Sequence, residues 1–270
     1  MNQIINDDCN NAIKSIQDNS VDLICFSPPY DEIRDYGGNS NFDIDGLGKE
    51  LFRVLKDGGV CCVVIQDGTK NFAKSLTTFS LAVNWVKQIG FKLFECCIYS
   101  RHGKPGAWWS KRFRVDHEYI LIFFKGDKPK YFNKESLKIP AKHSGAKWHG
   151  TQRKTDGTLI KIEEKVQQDT KCPGTIWEYS TSNTEGNKEK LKHPATYPDK
   201  LAQDLISCFS QEGDIILDPM CGSGTTCVVA KNSNRNYIGI EINKEYCNIC
   251  LNRLNDEANN SMKTMFEETL

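Results

Sequence analysis

Two apolar runs, Val21–Phe26 (VDLICF) and 60–66 (VCCVVIQ), run almost unbroken by polar residues, and this constrains the fold more than any other feature. A strand with one wet face alternates apolar and polar side chains, whereas an unbroken run has to be covered on both faces. Sheets covered on both faces are mostly parallel ones with crossover helices. Helical spacing does lie between and after the runs. Leu47, Leu51, Val54 and Leu55 share a face within 42–56, which Asp57-Gly58-Gly59 is expected to end, and 79–89 reads as a second helix. Further strands are expected at 2–6, 91–99, 117–124, 215–217 and 237–241, and further helices at 10–17, 197–209, 225–232 and 244–254. The spacing predicts an α/β chain with a mostly parallel, seven-stranded sheet and helices on both faces.

The 270 residues suffice for one such domain with a smaller appendage. The formal net charge is zero, but it is unevenly spread. Residues 125–192 hold 15 Lys/Arg against 9 Asp/Glu, and those from His193 onward hold 6 against 11. A basic stretch is either a solvated surface or a polyanion contact. The polar, acidic start (MNQIINDDCNNAI) lacks the regions of a signal peptide, and no apolar run approaches the roughly 20 residues that span a bilayer. Twelve cysteines then read as reduced, several of them in strand runs where Cys is a small hydrophobe. A cytoplasmic protein without membrane attachment is expected. Cys247 and Cys250 have metal spacing but lie in a helical pattern with no second pair nearby in sequence, so a buried helix face is the reading. His143 and His149 likewise lack partners, and no metal is expected.

Two motifs carry chemistry. In the first, a strand ends at Asp218 and is followed by Pro219-Met220-Cys221-Gly222-Ser223-Gly224-Thr225-Thr226 and a helix; the next strand ends at Glu241, 23 residues after Asp218. Gly222 and Gly224 let the backbone approach a ligand, and Glu241 is placed for a ribose diol. A dinucleotide fingerprint would need glycine where Cys227 stands, and no acid where pyrophosphate approaches. Asp218 instead suits an ammonium group. S-adenosylmethionine carries both ammonium and ribose, so one cofactor accounts for both acids.

The second motif is Ser27-Pro28-Pro29-Tyr30, directly after VDLICF. Two prolines remove two donors and end the strand. Ser27 Oγ and the Pro28 carbonyl can then accept the two hydrogens of a base amine, and Tyr30 can stack on a base turned out of a duplex. The plain alternative is a polyproline turn with a packing tyrosine.

These residues resemble the amino-methyltransferases of DNA, which act on N4 of cytosine or N6 of adenine. Ser27–Tyr30 matches their [DNS]-P-P-[YF] tetrapeptide, and Asp218–Thr226 their D-P-x-x-G-S-G-T-T loop. The catalytic motif precedes the cofactor motif, a circularly permuted order similar to the family's beta class. The resemblance implies a Rossmann-like fold in which 1–126 and 193–270 form one methyltransferase domain and 127–192 a basic target-recognition insert. It also implies that Asp8, in a G-D-C-like element whose glycine is here Asp7, and His193, which opens H-P-A-T-Y-P-D-K-L, join the cofactor site.

Direct transfer from sulfonium to nitrogen needs no protein nucleophile, so the cysteines are assigned none. Double-stranded DNA is the expected partner; a homodimer and a cognate restriction endonuclease stay open. Arg34, in a loop that could close over a flipped base, is a phosphate candidate. The stretch 101–114 interleaves Arg101, Lys104, Lys111, Arg112 and Arg114 with Trp108, Trp109 and Phe113, which suits phosphate contact with stacking. A sheet-capping loop with core tryptophans is the rival reading. Lys142, Lys147, Arg153 and Lys154 of the insert are further contact candidates. Serine at the first motif position favours N4 of cytosine, with N6 of adenine as the alternative. A catalytically silent DNA-binding module, and an enzyme acting on RNA or protein amides, are the other functions considered.

Overall fold

In a computed structural model, residues 2–29, 43–102, 113, 115–180 and 197–267 are described. The chain divides into two units: Met1–Asn133 with Thr175–Leu270, and Lys134–Gly174.

The larger unit is built on one sheet of β1 (Gln3–Asn6), β2 (Val21–Phe26), β3 (Leu55–Ile65), β4 (Lys92–His102), β5 (His117–Phe124), β6 (Ile176–Ser180), β7 (Ile215–Asp218) and β8 (Asn236–Glu241). Their order is β1-β8-β7-β2-β3-β5-β4-β6. β5 runs antiparallel to both its neighbours, and the other adjacent pairs are parallel. Every residue of β2 is buried, as its apolar run requires.

The unit also holds helices α1 (Cys9–Ala12), α2 (Ile44–Val54), α3 (Thr77–Asn84), α4 (Asp199–Phe209), α5 (Thr225–Asn232) and α6 (Lys244–Glu267). α2 buries Leu47, Gly48, Leu51 and Val54, the stripe that its spacing predicts. Trp85 anchors the core against it, stacked on Phe91 at 5.2 Å.

Two expectations are corrected. The sheet has eight strands, because β6, inside the stretch assigned to the insert, pairs in parallel with β4 (Ile176↔Ile98). Its five residues (IWEYS) form an edge strand, with one neighbour and too short an apolar pattern to stand out. The other correction concerns Asp57-Gly58-Gly59, which does not end α2. The helix stops at Val54, and Leu55, fully buried and extended, already begins β3. Gly58, at φ +78°, belongs instead to a bulged start of that strand, where its N–H donates to the Lys125 carbonyl.

In the smaller unit, Lys147–Arg153 pairs antiparallel with Leu159–Val166. No residue of Lys134–Gly174 is buried. This unit is shorter than the 127–192 expected for the insert.

Candidate active site

The parallel half of the sheet brings four chain ends to one edge. β1, β8, β7 and β2 are consecutive and parallel, with Asn6 opposite Glu241, Asp218 opposite Gly239 and Leu217 opposite Ile24. Asp8, Glu241, Asp218 and Ser27 therefore follow the same, carboxyl-terminal edge. In open α/β sheets that edge is where ligands bind. The two motifs, almost two hundred positions apart in the chain, leave adjacent strands.

Side chains tie this edge together. Asp218 is 2% exposed; its Oδ1 accepts from Met220 N at 3.0 Å and its Oδ2 from Thr226 Oγ1 at 2.6 Å. Burial pushes the Asp218 carboxyl up to about 7, against the pull of those two hydrogen bonds. Thr226 Oγ1 also lies 3.2 Å from the Cys25 carbonyl on β2 and within hydrogen-bond reach of the Tyr197 hydroxyl. A hydroxyl has one proton to give; Thr226 shares it between the carboxylate and the Cys25 carbonyl, and Tyr197 donates to Thr226. The threonine thus links the strand that ends at Ser27 to the acid that opens the glycine loop.

The loop is held by its neighbours' backbone and acids. Glu241 Oε2 accepts from Gly222 N at 2.9 Å and Oε1 from Asn243 N at 2.7 Å, while burial raises its pKa. Each carboxylate oxygen still has lone-pair capacity for a ligand hydroxyl. Gly222 and Gly224 adopt φ of +51° and +83°, left-handed backbone that side-chain-bearing residues avoid. Arg253 of α6, 3% exposed, donates to the Ser223 carbonyl at 2.6 Å and secures the loop from below. Thr225 Oγ1, buried at the start of α5, has no hydrogen-bond partner among the described residues. An orphaned hydroxyl at a helix start, two acids and a glycine cradle form a donor and acceptor set that fits a cationic nucleoside cofactor.

The remaining expected residues distribute as follows. Asp8 caps α1, accepting from Asn10 N at 2.8 Å. Ser27 and Pro29 are partly buried and Pro28 is buried. Arg101 sits on β4, where its Nη1 pairs with Glu118 Oε1 at 3.1 Å. Lys147 pairs with Glu164 across the hairpin at 2.9 Å, whereas Lys142, Arg153 and Lys154 are exposed. Tyr30, Arg34, Lys104, Trp108, Trp109, Lys111, Arg112, Arg114 and His193 lie outside the described residues.

Sequence reasoning missed Tyr197. It lies inside the H-P-A-T-Y-P element that the resemblance uses, and an aromatic hydroxyl immediately before a helix-starting proline was the available signal. Burial holds its phenol well above the ordinary range, so it keeps the proton that it donates to Thr226.

Known proteins are similar to this chain in sequence and in fold. A family model described as DNA methylase (N6_N4_Mtase) matches residues 21–252. The orphan methyltransferase M.BamHII of Bacillus amyloliquefaciens is 36% identical over 245 residues, 89% of this chain and 91% of that protein. The DNA adenine methyltransferase YhdJ of Escherichia coli is 31% identical over 268 residues, 93% of this chain and 82% of the relative. Among solved structures, the cytosine-N4-specific PvuII DNA methyltransferase superposes with a TM-score of 0.71 at 21% identity, over 93% of this chain and 86% of that one.

Proposed function

The chain belongs to the N6/N4 DNA methylase family, an S-adenosylmethionine-dependent group of DNA methyltransferases, and from that premise we propose that it methylates N4 of cytosine in a base turned out of duplex DNA. The observation that carries this reading is the shared edge: the turn after Phe26 and the loop after Leu217 leave adjacent parallel strands, joined through Thr226 and Cys25.

In this reading the cofactor, when bound, supplies an activated methyl group on a sulfonium. Asp218 meets its ammonium, Glu241 its ribose hydroxyls, and Gly222 and Gly224 leave room for it. Asp8 and His193 close the site, and Pro219, Cys221, Ser223, Thr225 and Thr226 shape it. Ser27 Oγ and the Pro28 carbonyl accept the two amine hydrogens of the base, which raises electron density on nitrogen in line with the methyl group. Tyr30 stacks on that base. Catalysis rests on positioning and on the polarised amine. On the DNA side, Arg34, Arg101, Lys104, Lys111, Arg112 and Arg114 meet phosphates near the site. Lys142, Lys147, Arg153 and Lys154 belong to the target-recognition insert, proposed over 127–192 between the two parts of the catalytic domain.

Serine at position 27 supports cytosine. The second reading, N6 of adenine, has its own support in the 31% identity to an adenine methyltransferase. Expressing the protein in a host devoid of both modifications, digesting its DNA to nucleosides and measuring them by mass spectrometry decides between them. N4-methylcytosine is expected. N6-methyladenine alone reverses the base assignment, and neither product defeats the reading. Parallel assays with RNA and protein acceptors test the remaining substrate classes, and a homodimer or a partner endonuclease is open to sedimentation and to inspection of neighbouring genes.

A further inference from the structure

Spacing along the chain pairs Cys250 with Cys247, but the fold gives Cys250 different company. Cys221 from the glycine loop, Cys227 from α5 and Cys250 from α6 converge, with their three sulfurs all within 4.8 Å of one another and all three residues buried. Two glycines make room for them. A Cβ on Gly224 would overlap Cys250 Sγ, and a Cβ on Gly239 would lie 2.8 Å from Cys227 Sγ and 2.9 Å from Cys221 Sγ.

We propose that Cys221, Cys227 and Cys250 form a three-thiolate site for a soft d10 cation, zinc(II) or copper(I), directly beneath the glycine loop. Three sulfurs bound to one such ion at about 2.3 Å stand about 3.8–4.0 Å apart. The observed spacing reaches that geometry with small side-chain movements. Thiolates select soft ions over calcium or magnesium, which take oxygen ligands. Binding forms three metal–sulfur bonds, and each thiol gives up its proton to solvent. The resulting negative centre has a counter-charge at hand. Arg253 lies three residues beyond Cys250 on α6, on the same helix face. It is 3% exposed, and its Nε has no hydrogen-bond partner among the described residues. Its Nη1 donates to the Ser223 carbonyl and its Nη2 lies 3.6 Å from Asp199 Oδ1, which leaves Nε as the donor available to a thiolate.

The site ties three elements that meet at the cofactor loop, and its occupancy would fix Cys221 within that loop. It does not depend on the methyl-transfer reading, because its readout is metal binding.

Cadmium(II) is a suitable probe. The reduced full-length chain, titrated with cadmium chloride, is expected to bind one equivalent with sulfur-to-cadmium charge-transfer absorption in the ultraviolet. It should release protons and unfold at a higher temperature. Cys227→Ala and Cys250→Ser should each lose the absorption band, whereas Cys96→Ser and Cys172→Ser, which change the half-buried thiols, should keep it. Should the first two variants not fold, X-ray absorption of the cadmium-loaded parent gives the answer, with three sulfur neighbours expected. No band in the parent, a band that depends on Cys96 or Cys172, or fewer than three sulfur neighbours overturns the proposal.

Discussion

The parallel half of the sheet and the hairpin of Lys134–Gly174 are built on opposite terms. β2 has no exposed residue, and its neighbours β7 and β3 bury it from both edges. The hairpin has no buried residue at all; Trp148 is 44% exposed with Lys165 Nζ 6.0 Å from its ring centre, and Leu159 and Val166 also face solvent. The first region is held by apolar burial, at roughly 25 cal/mol per Å². The second rests on ladder hydrogen bonds and surface pairs such as Lys147–Glu164, each worth little in water. A buried strand restricts nearly every residue, whereas an exposed ribbon leaves its side chains free to suit a partner. The major groove of DNA admits a two-stranded ribbon.

The sharpest way to break this contrast is a matched pair of truncations. Ile24→Ala, at a fully buried position, should cost about 2–5 kcal/mol of stability. Ile160→Ala, at 37% exposure, should cost less than about 1 kcal/mol. Urea unfolding of both variants measures the difference, and equal losses would mean that the hairpin has a core of its own.

Tyr30→Ala should lower turnover by about 5–150-fold, the loss of roughly 1–3 kcal/mol of base stacking, with cofactor affinity unchanged. Calorimetry together with single-turnover rates separates the two; a collapse of cofactor affinity would remove the stacking role. Asp218→Ala should weaken S-adenosylmethionine binding by about 1–3 kcal/mol, a factor of roughly 5 to 150.

The raised Asp218 pKa adds a pH signature. The cofactor's ammonium needs the carboxylate, so affinity should rise as pH climbs through about 7 and then level off, and Asp218→Asn should lack that step. In the free protein the sign is opposite. Folded Asp218 keeps its proton to about 7, whereas the unfolded chain releases it near 3.9, so this group's contribution to stability falls as pH rises between those values. Thermal melts from pH 4 to 8 of parent and Asp218→Asn protein read that slope.

The smallest expected effect on folding lies in the hairpin's cations. Arg153→Ala and Lys154→Ala should each leave stability within about 0.5 kcal/mol while reducing the salt dependence of DNA binding by about one counterion. Filter binding across a salt series checks this. An unchanged slope would take both residues off the DNA.

How much was legible in the sequence follows the same division. VDLICF and the D-P-x-x-G-S-G-T-T loop announce a strand, a turn and a helix start within a residue or two, and VCCVVIQ the end of β3, because full burial and positive φ leave few residue types. The edge strand Ile176–Ser180 was hidden, since one neighbour and five residues impose almost no pattern. The start of β3 was misread because glycines stop helices and bulge strands alike, and only the burial of Leu55 distinguishes the two.

By itself, then, the sequence determined the α/β character, the two motifs and the acids that end their strands. Local backbone sterics and apolar patterning act within a few residues, and a single chain records them. Only the tertiary structure decided that Thr226 reaches both Asp218 and the Cys25 carbonyl, that Tyr197 completes the link, and that Cys250 faces Cys221 and Cys227. Those contacts join positions up to about two hundred residues apart. They depend on strand order and on how helices seat on the sheet, which no local spacing encodes.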